Sequence, residues 1–152
     1  MNRDSLRGLL IKDEGLELRP YFDCCGKFFR DCKCEHQGKL TIGTGRNIED
    51  VGISDQEAGF LLENDMSKVV SYCREAYPWF NGLDDSRQNV VASMVFNMGP
   101  MKFSEFKKMI AAVSAKDFSE ASNQMLQSAW AGQVGERAVE LADMMRVGDT
   151  FH

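Results

Sequence analysis

The chain has 152 residues, of which 43% are hydrophobic and 27% charged, and a formal charge of −5. That length suits one domain, or two small lobes sharing a long element, with enough apolar material for a core. The acidic balance, with a pI near 5.1, argues against broad binding to nucleic acid or anionic membrane, which wants a basic surface. A cleft can still differ in sign from the whole. No apolar run approaches the ~18 residues of a membrane span, so membrane insertion is not expected.

The opening MNRDSLRGLL has too short an apolar stretch for a secretory signal, and Lys12-Asp13-Glu14 interrupts it. The chain is therefore expected to be made and kept in the cytoplasm. Asp4 or Asn2 can cap a first helix. Leu6, Leu10 and Glu14 follow at intervals of four, so Glu14 shares the apolar face, and Gly15 stops the helix. An ordinary last-turn Glu is a solvated acid. Here the negative end of the helix dipole and the neighbouring Leu10 both favour a protonated carboxyl, as a proton donor requires.

Leu16 to Asp23 reads as a strand with Pro20 near an edge, and Lys39 to Thr44 reads as its partner. Gly43 and Gly45 mark a bend or a close backbone approach. Glu14 thus closes a helix and Asp23 closes a strand, nine residues apart. Such ends can bring two carboxyl groups to opposite walls of one cleft. Glycoside hydrolysis uses that pairing, one acid protonated and one ionised.

Ile53-Ser54-Asp55-Gln56-Glu57 is a capping box, with Ile53 placed to staple against Ala58. The helix it opens, about 55–77, carries apolar residues at Ala58, Leu61, Leu62, Met66, Val69, Val70, Cys73 and Tyr77 and ends at Pro78. At 1.5 Å per residue it is roughly 30 Å long, enough to join two lobes. The remainder reads as helices alone. Asp84 caps one through Met98, closed by Gly99 and Pro100. Ser104 opens a second to about Ala115, and Asp117 opens a third to about Ser128. Trp130 follows as a core anchor, and Val134 to Val147 forms a last helix stopped by Gly148. The plan is α+β: one domain over 1–152, with a small sheet lobe at about 12–60. The long helix then leads to a helical lobe at about 78–152 that takes in the N-terminal helix.

Four stretches in this order, DEGLELRPYFD, GKLTIGTGRN, LDDSRQNVVASMVFNMG and GERAVELA, resemble the bacteriophage lysozymes, the muramidase endolysins of the T-even phage type. The resemblance runs from Leu9 to about Gly148. It implies a lysozyme-like fold and hydrolysis of the β-1,4 bond between N-acetylmuramic acid and N-acetylglucosamine in bacterial peptidoglycan, with inversion, for host cell lysis. The family signature of Glu, eight residues, Asp, then Thr on the next strand falls on Glu14, Asp23 and Thr41. Glu14 would protonate the glycosidic oxygen, and Asp23 and Thr41 would hold and activate the attacking water. Arg137 matches an arginine that faces the catalytic glutamate. Phe96 and Asn97 match the substrate-cleft stretch, and Gln124 is a further substrate-binding candidate. On pattern alone Asp23 reads rather as a turn cap and Thr41 as an ordinary β-former, and Phe96 equally as a core residue. The resemblance also implies a monomer with no catalytic cofactor, held in the host cytoplasm until a holin opens the inner membrane. The alternatives are a lytic transglycosylase, which needs no water-activating Asp, and an inactive murein-binding or zinc-binding module.

Three departures stand out. Arg46, with Asn47 beside it, occupies the region where family members often carry a His. Phe106 replaces a small polar cleft residue. The turn between the two strands is enlarged to CCGKFFRDCKCEHQG. There, Cys24 or Cys25 with Cys32, Cys34 and His36 offers three thiolates and an imidazole, a permitted zinc set. The spacing is not that of a zinc ribbon: Cys32, Cys34 and His36 alternate along one strand face. Structural zinc, a disulfide formed after release, and free packed thiols all remain open. In each case the insertion follows Asp23 directly and should shape one rim of the site, with Phe28 and Phe29 folding it onto the sheet.

Overall fold

The computed structural model describes residues 2–35 and 38–150. Internal contacts divide the chain into two units, Met1–Gly59 and Phe60–His152. The fold is α+β, with a small antiparallel sheet followed by helices.

In the first unit, helix α1 (Arg3–Glu14) is capped by Asn2, whose side chain accepts from the Asp4 and Ser5 amides. Gly15 ends it at φ 77°, where its amide closes on the Ile11 carbonyl. Three strands follow in the order β1 (Glu17–Phe22), β2 (Leu40–Gly43), β3 (Arg46–Asn47). The register sets Tyr21 opposite Thr41 and Phe22 opposite Leu40, then Thr41 opposite Asn47. Pro20 sits where the β1–β2 register slips, on an edge strand, because it has no N–H to give the ladder. The two-residue β3 was not expected from the sequence, being too short to show alternation.

The capping box forms as read. The Ser54 amide donates to Glu57 at 2.8 Å and the Glu57 amide to Ser54 Oγ at 3.2 Å, opening α2 (Asp55–Ala76). Ile53 itself is half-exposed. The apolar stripe of α2 is buried only late: Phe60, Leu61, Leu62 and Met66 are exposed, whereas Val69, Val70 and Cys73 join the core.

The second unit is helical: α3 (Asp85–Met98), α4 (Pro100–Ser104), α5 (Lys107–Ser114), α6 (Phe118–Leu126), α7 (Ala129–Val134) and α8 (Glu136–Val147). Asp84 and Asp117 are N-caps, and Gly99 and Gly148 C-caps, as the sequence suggests. Two boundaries differ. Proline at the first position opens α4, so Ser104 closes that short helix instead of opening the next. Ser128 caps a separate α7, and Gly135 at φ 60° breaks the chain before α8, so the last helix starts after Val134. The core gathers Phe80, Val90, Val91, Met94, Phe103, Met109, Met125 and Met145, all under 3% exposed. Arg87 ties α3 to the end of α8. It pairs with Asp84, donates to the Met145 and Arg146 carbonyls, and lies 3.7 Å over the Phe118 ring. A β-carbon on Gly148 (φ 74°) would overlap this guanidinium.

Candidate active site

The three signature residues lie in the first unit. Glu14 is the last residue of α1 and is exposed. Leu10 is 46% exposed, so the expected apolar burial beside Glu14 is not found. The reason is local: α1 has no buried residue at all. What meets the Glu14 carboxyl is the β2–β3 turn. A β-carbon built on Gly45, at φ 71°, would stand 3.4 Å from Glu14 Oε2. Glycine is needed there for the left-handed backbone, and its bareness lets the turn pass the acid.

Asp23 directly follows β1. Its carboxylate accepts the Lys39 amide at 2.7 Å, while its own amide donates to the Lys39 carbonyl at 3.2 Å. Gly38 makes this possible, since a β-carbon there would overlap both the Asp23 carboxylate and the Cys24 amide. Thr41 sits on the central strand and is 4% exposed, the one buried residue described before position 60. Its hydroxyl donates to the same Lys39 carbonyl at 3.0 Å. With its proton committed there, the hydroxyl oxygen is left as an acceptor. Asp23 and Thr41 are therefore both registered on the backbone of one residue, Lys39.

That residue is itself anchored. Lys39 Nζ reaches Glu49 at 3.2 Å and Asp50 at 3.0 Å, and the Leu40 amide donates to Glu49 at 3.1 Å. The Asp50 and Glu49 carboxylates raise the Lys39 amine above its ordinary value. The Leu40 amide and then Lys39 hold Glu49 below the usual carboxylate range, and Lys39 and Asn47 do the same for Asp50. Arg46 clamps Glu57 at 2.7 and 3.2 Å and donates to the Gly52 carbonyl. It is a strut between β3 and the start of α2. Sequence reading missed the roles of Gly38, Lys39, Glu49 and Asp50. For these four, Gly38 just ahead of a strand was the available local signal, as Gly45 was for the approach to Glu14.

In the second unit, Asn97 and Gln124 line one groove of about 900 Å³, together with Phe106, Gln127 and Trp130. Trp130 is 6% exposed and its indole N–H donates to Asn97 at 3.2 Å, so it is the expected core anchor and also fixes that amide. Phe106 packs edge-on against Trp130. Gln124 donates to Glu120 at 2.6 Å. Phe96 does not share this groove. It lines a smaller apolar cavity of about 270 Å³ with Leu62, Met66, Val69 and Ala92. Arg137, on α8, donates to Ser93 Oγ at 2.9 Å.

The cysteine insertion folds back on β1. Tyr21 bridges to Phe28, the Phe22 amide meets the Lys27 carbonyl, and a short 3-10 turn spans Phe29–Asp31. The thiols of Cys24, Cys25, Cys32 and Cys34 converge, with Cys24 and Cys32 sulfurs 3.5 Å apart. The Lys27 amide holds the Cys25 thiol below its ordinary value, whereas hydrogen bonds from Cys24 and Cys32 push Cys34 up to about 12. The grouping differs from the expected one: both Cys24 and Cys25 take part. His36 lies outside the described residues.

Residues 12–143 match the family described as phage lysozyme. Among curated proteins the chain is similar to "Probable T4-type lysozyme 2" of Dictyostelium discoideum, 26% identical over 173 residues with 95% of each chain covered. It is 25% identical over 174 residues to "Probable T4-type lysozyme 1" of the same organism, again covering 95% of each. It also matches the pre-baseplate central spike protein of Enterobacteria phage T4, 26% identical over 162 residues, which is 95% of this chain but 28% of the spike protein. With the family match running over nearly the whole chain, through the stretch that carries Glu14, Asp23 and Thr41, the protein belongs to the phage lysozyme family and is a lysozyme-type glycoside hydrolase.

Proposed function

We propose that this lysozyme cleaves the β-1,4 bond between N-acetylmuramic acid and N-acetylglucosamine in peptidoglycan, with inversion at the anomeric carbon. Glu14 gives its proton to the glycosidic oxygen as the bond to that carbon breaks. A water held by Asp23 and Thr41 attacks the opposite face, and Asp23 takes the water proton. No metal or cofactor enters these steps. The observation that carries the reading is the shared anchor of the two water-holding groups. Asp23 and Thr41 are tied to the amide and the carbonyl of the single residue Lys39, at 2.7 and 3.0 Å. A water between them would meet a carboxylate that accepts its proton and a hydroxyl oxygen whose own proton is already given to the Lys39 carbonyl. The Asn97–Gln124 groove supplies amides suited to N-acetyl and hydroxyl groups of a glycan.

As a phage endolysin, the enzyme would act alone as a monomer. It would wait in the host cytoplasm until a holin opened the inner membrane, then lyse the wall. Among the described residues no helix is long and apolar enough to cross a membrane, which fits a separate partner making that opening. The test is murein digestion with reducing-end counting. The wild type releases reducing muramic acid, and Glu14→Gln releases it about 10²–10⁴-fold more slowly while keeping its melting temperature. Hydrolysis retained at the wild-type rate in Glu14→Gln refutes the assignment of the acid.

A further inference from the structure

We propose that Cys24, Cys25, Cys32 and Cys34 form a tetrathiolate site for one structural zinc ion, which clips the β1–β2 connection shut behind Asp23. All four sulfurs lie within 4.8 Å of one another. A tetrahedral Zn²⁺ with bonds of about 2.3 Å would set its sulfurs about 3.8 Å apart, so small shifts of the thiols close the shell. Two different local geometries deliver the ligands. Cys24 and Cys25 are adjacent, and in a strand they would point to opposite faces. They lie instead in a tight turn, where the amides of Cys25 and Gly26 both bond to the Phe22 carbonyl. Gly26 at φ 64° allows the reversal. Cys32 and Cys34 are two apart after the 3-10 turn, with Cys32 extended at φ −71°, ψ 125°, so both side chains leave on one side.

Two disulfides would need the thiols only in pairs. Four sulfurs meeting around one point is what a single soft cation asks for, and four thiolates select zinc or iron over harder metals. The site also answers a local need. Among the described residues of 2–59 only Thr41 is buried, and small units without a core are commonly held by a metal or disulfide staple. On binding, each thiol that ligates releases its proton to solvent and no electron moves.

The protein purified in a phosphine reductant is analysed for zinc and iron by elemental mass spectrometry, and then exchanged into Co²⁺. We expect one zinc per chain, and for the cobalt form the visible ligand-field and thiolate charge-transfer bands of tetrahedral sulfur coordination. The double variant Cys24→Ser/Cys34→Ser loses the metal and Cys73→Ala keeps it. Chelation lowers the melting temperature, and reductant alone leaves it in place. If the double variant does not fold, the wild-type stoichiometry and cobalt spectrum decide. Protein that contains no zinc and takes up neither zinc nor cobalt overturns the proposal. So does a chain isolated without reductant whose mass shows these cysteines as two disulfides, and so does a stoichiometric red iron form. The outcome does not depend on whether Glu14 is the acid.

Discussion

Residues 2–59 and the chain beyond Gly59 are held together by different physics. Among the described residues every buried hydrophobic side chain falls between Cys73 and Met145, while the earlier stretch buries a single threonine. The helical unit rests on removal of apolar surface from water. The sheet unit rests on named polar contacts: the Asn2 and Ser54 caps, Lys39 between Glu49 and Asp50, Arg46 on Glu57, and glycines that let backbone approach carboxylates. Acid–base chemistry needs groups that reach substrate and water, so the unit bearing the signature residues gives up a core and is stiffened by hydrogen bonds instead.

The sharpest way to separate the two regions is to remove chemistry without removing structure. Glu14→Gln is expected to lower murein hydrolysis by about 10²–10⁴-fold with no change in melting temperature, since its side chain is exposed. Asp23→Asn should lose activity on a similar scale and still fold, because the new amide oxygen can accept the Lys39 amide as the carboxylate does. A loss of only a few-fold in Asp23→Asn would favour transglycosylase chemistry. In the helical unit the reverse holds. Phe103→Ala empties a fully buried site beside Tyr77 and Phe106 and should cost about 3–5 kcal/mol in denaturant unfolding. In the sheet unit, by contrast, Leu18→Ala on β1, at a side chain 79% exposed, should cost almost nothing.

Acid should loosen the sheet unit first. Glu49, Asp50 and Glu57 are held below the usual carboxylate range, Glu57 chiefly by the Ser54 amide and then by Arg46. The stability they contribute is whole above the ordinary carboxylate pKa of about 4 and is lost as pH falls through the lowered native values. Lys39, raised by the same carboxylates, contributes below its ordinary pKa of about 10.4 and loses that contribution as pH climbs through the raised value. Protection of the Leu40 and Ile48 amides against exchange, taken relative to the intrinsic rate at each pH, should therefore fall in acid before the fluorescence of Trp79 and Trp130, both in the helical unit, changes. A small effect belongs to Arg46→Ala. It breaks a solvent-exposed pair and should cost about 1 kcal/mol or less in thermal melting.

Much of this was legible in the residues. The capping box at Ser54–Glu57, the caps Asp84 and Asp117, and the stops Gly15, Gly99 and Gly148 follow from local chemistry and recur in the structure. Local rules failed where one residue serves two elements. Ser104 has the composition of a cap, yet Pro100 had already started a helix four residues earlier. Gly135 interrupts an otherwise continuous apolar pattern. At the site, Glu14, Asp23 and Thr41 came from the spacing they share with the family, whereas their support did not. Lys39 is one lysine among many until the fold brings Asp23, Thr41, Glu49 and Asp50 to it. The cysteine cluster was visible as composition, but its membership required the turn that gathers Cys24 and Cys25 together.

The most direct test of the proposed chemistry is digestion of murein in ¹⁸O-labelled water, followed by mass analysis of the released muramic acid. One labelled oxygen at each new reducing end is expected from the wild type, with release slowed about 10²–10⁴-fold in Glu14→Gln and Asp23→Asn. An anhydro-muramic product carrying no label would contradict water activation by Asp23 and Thr41.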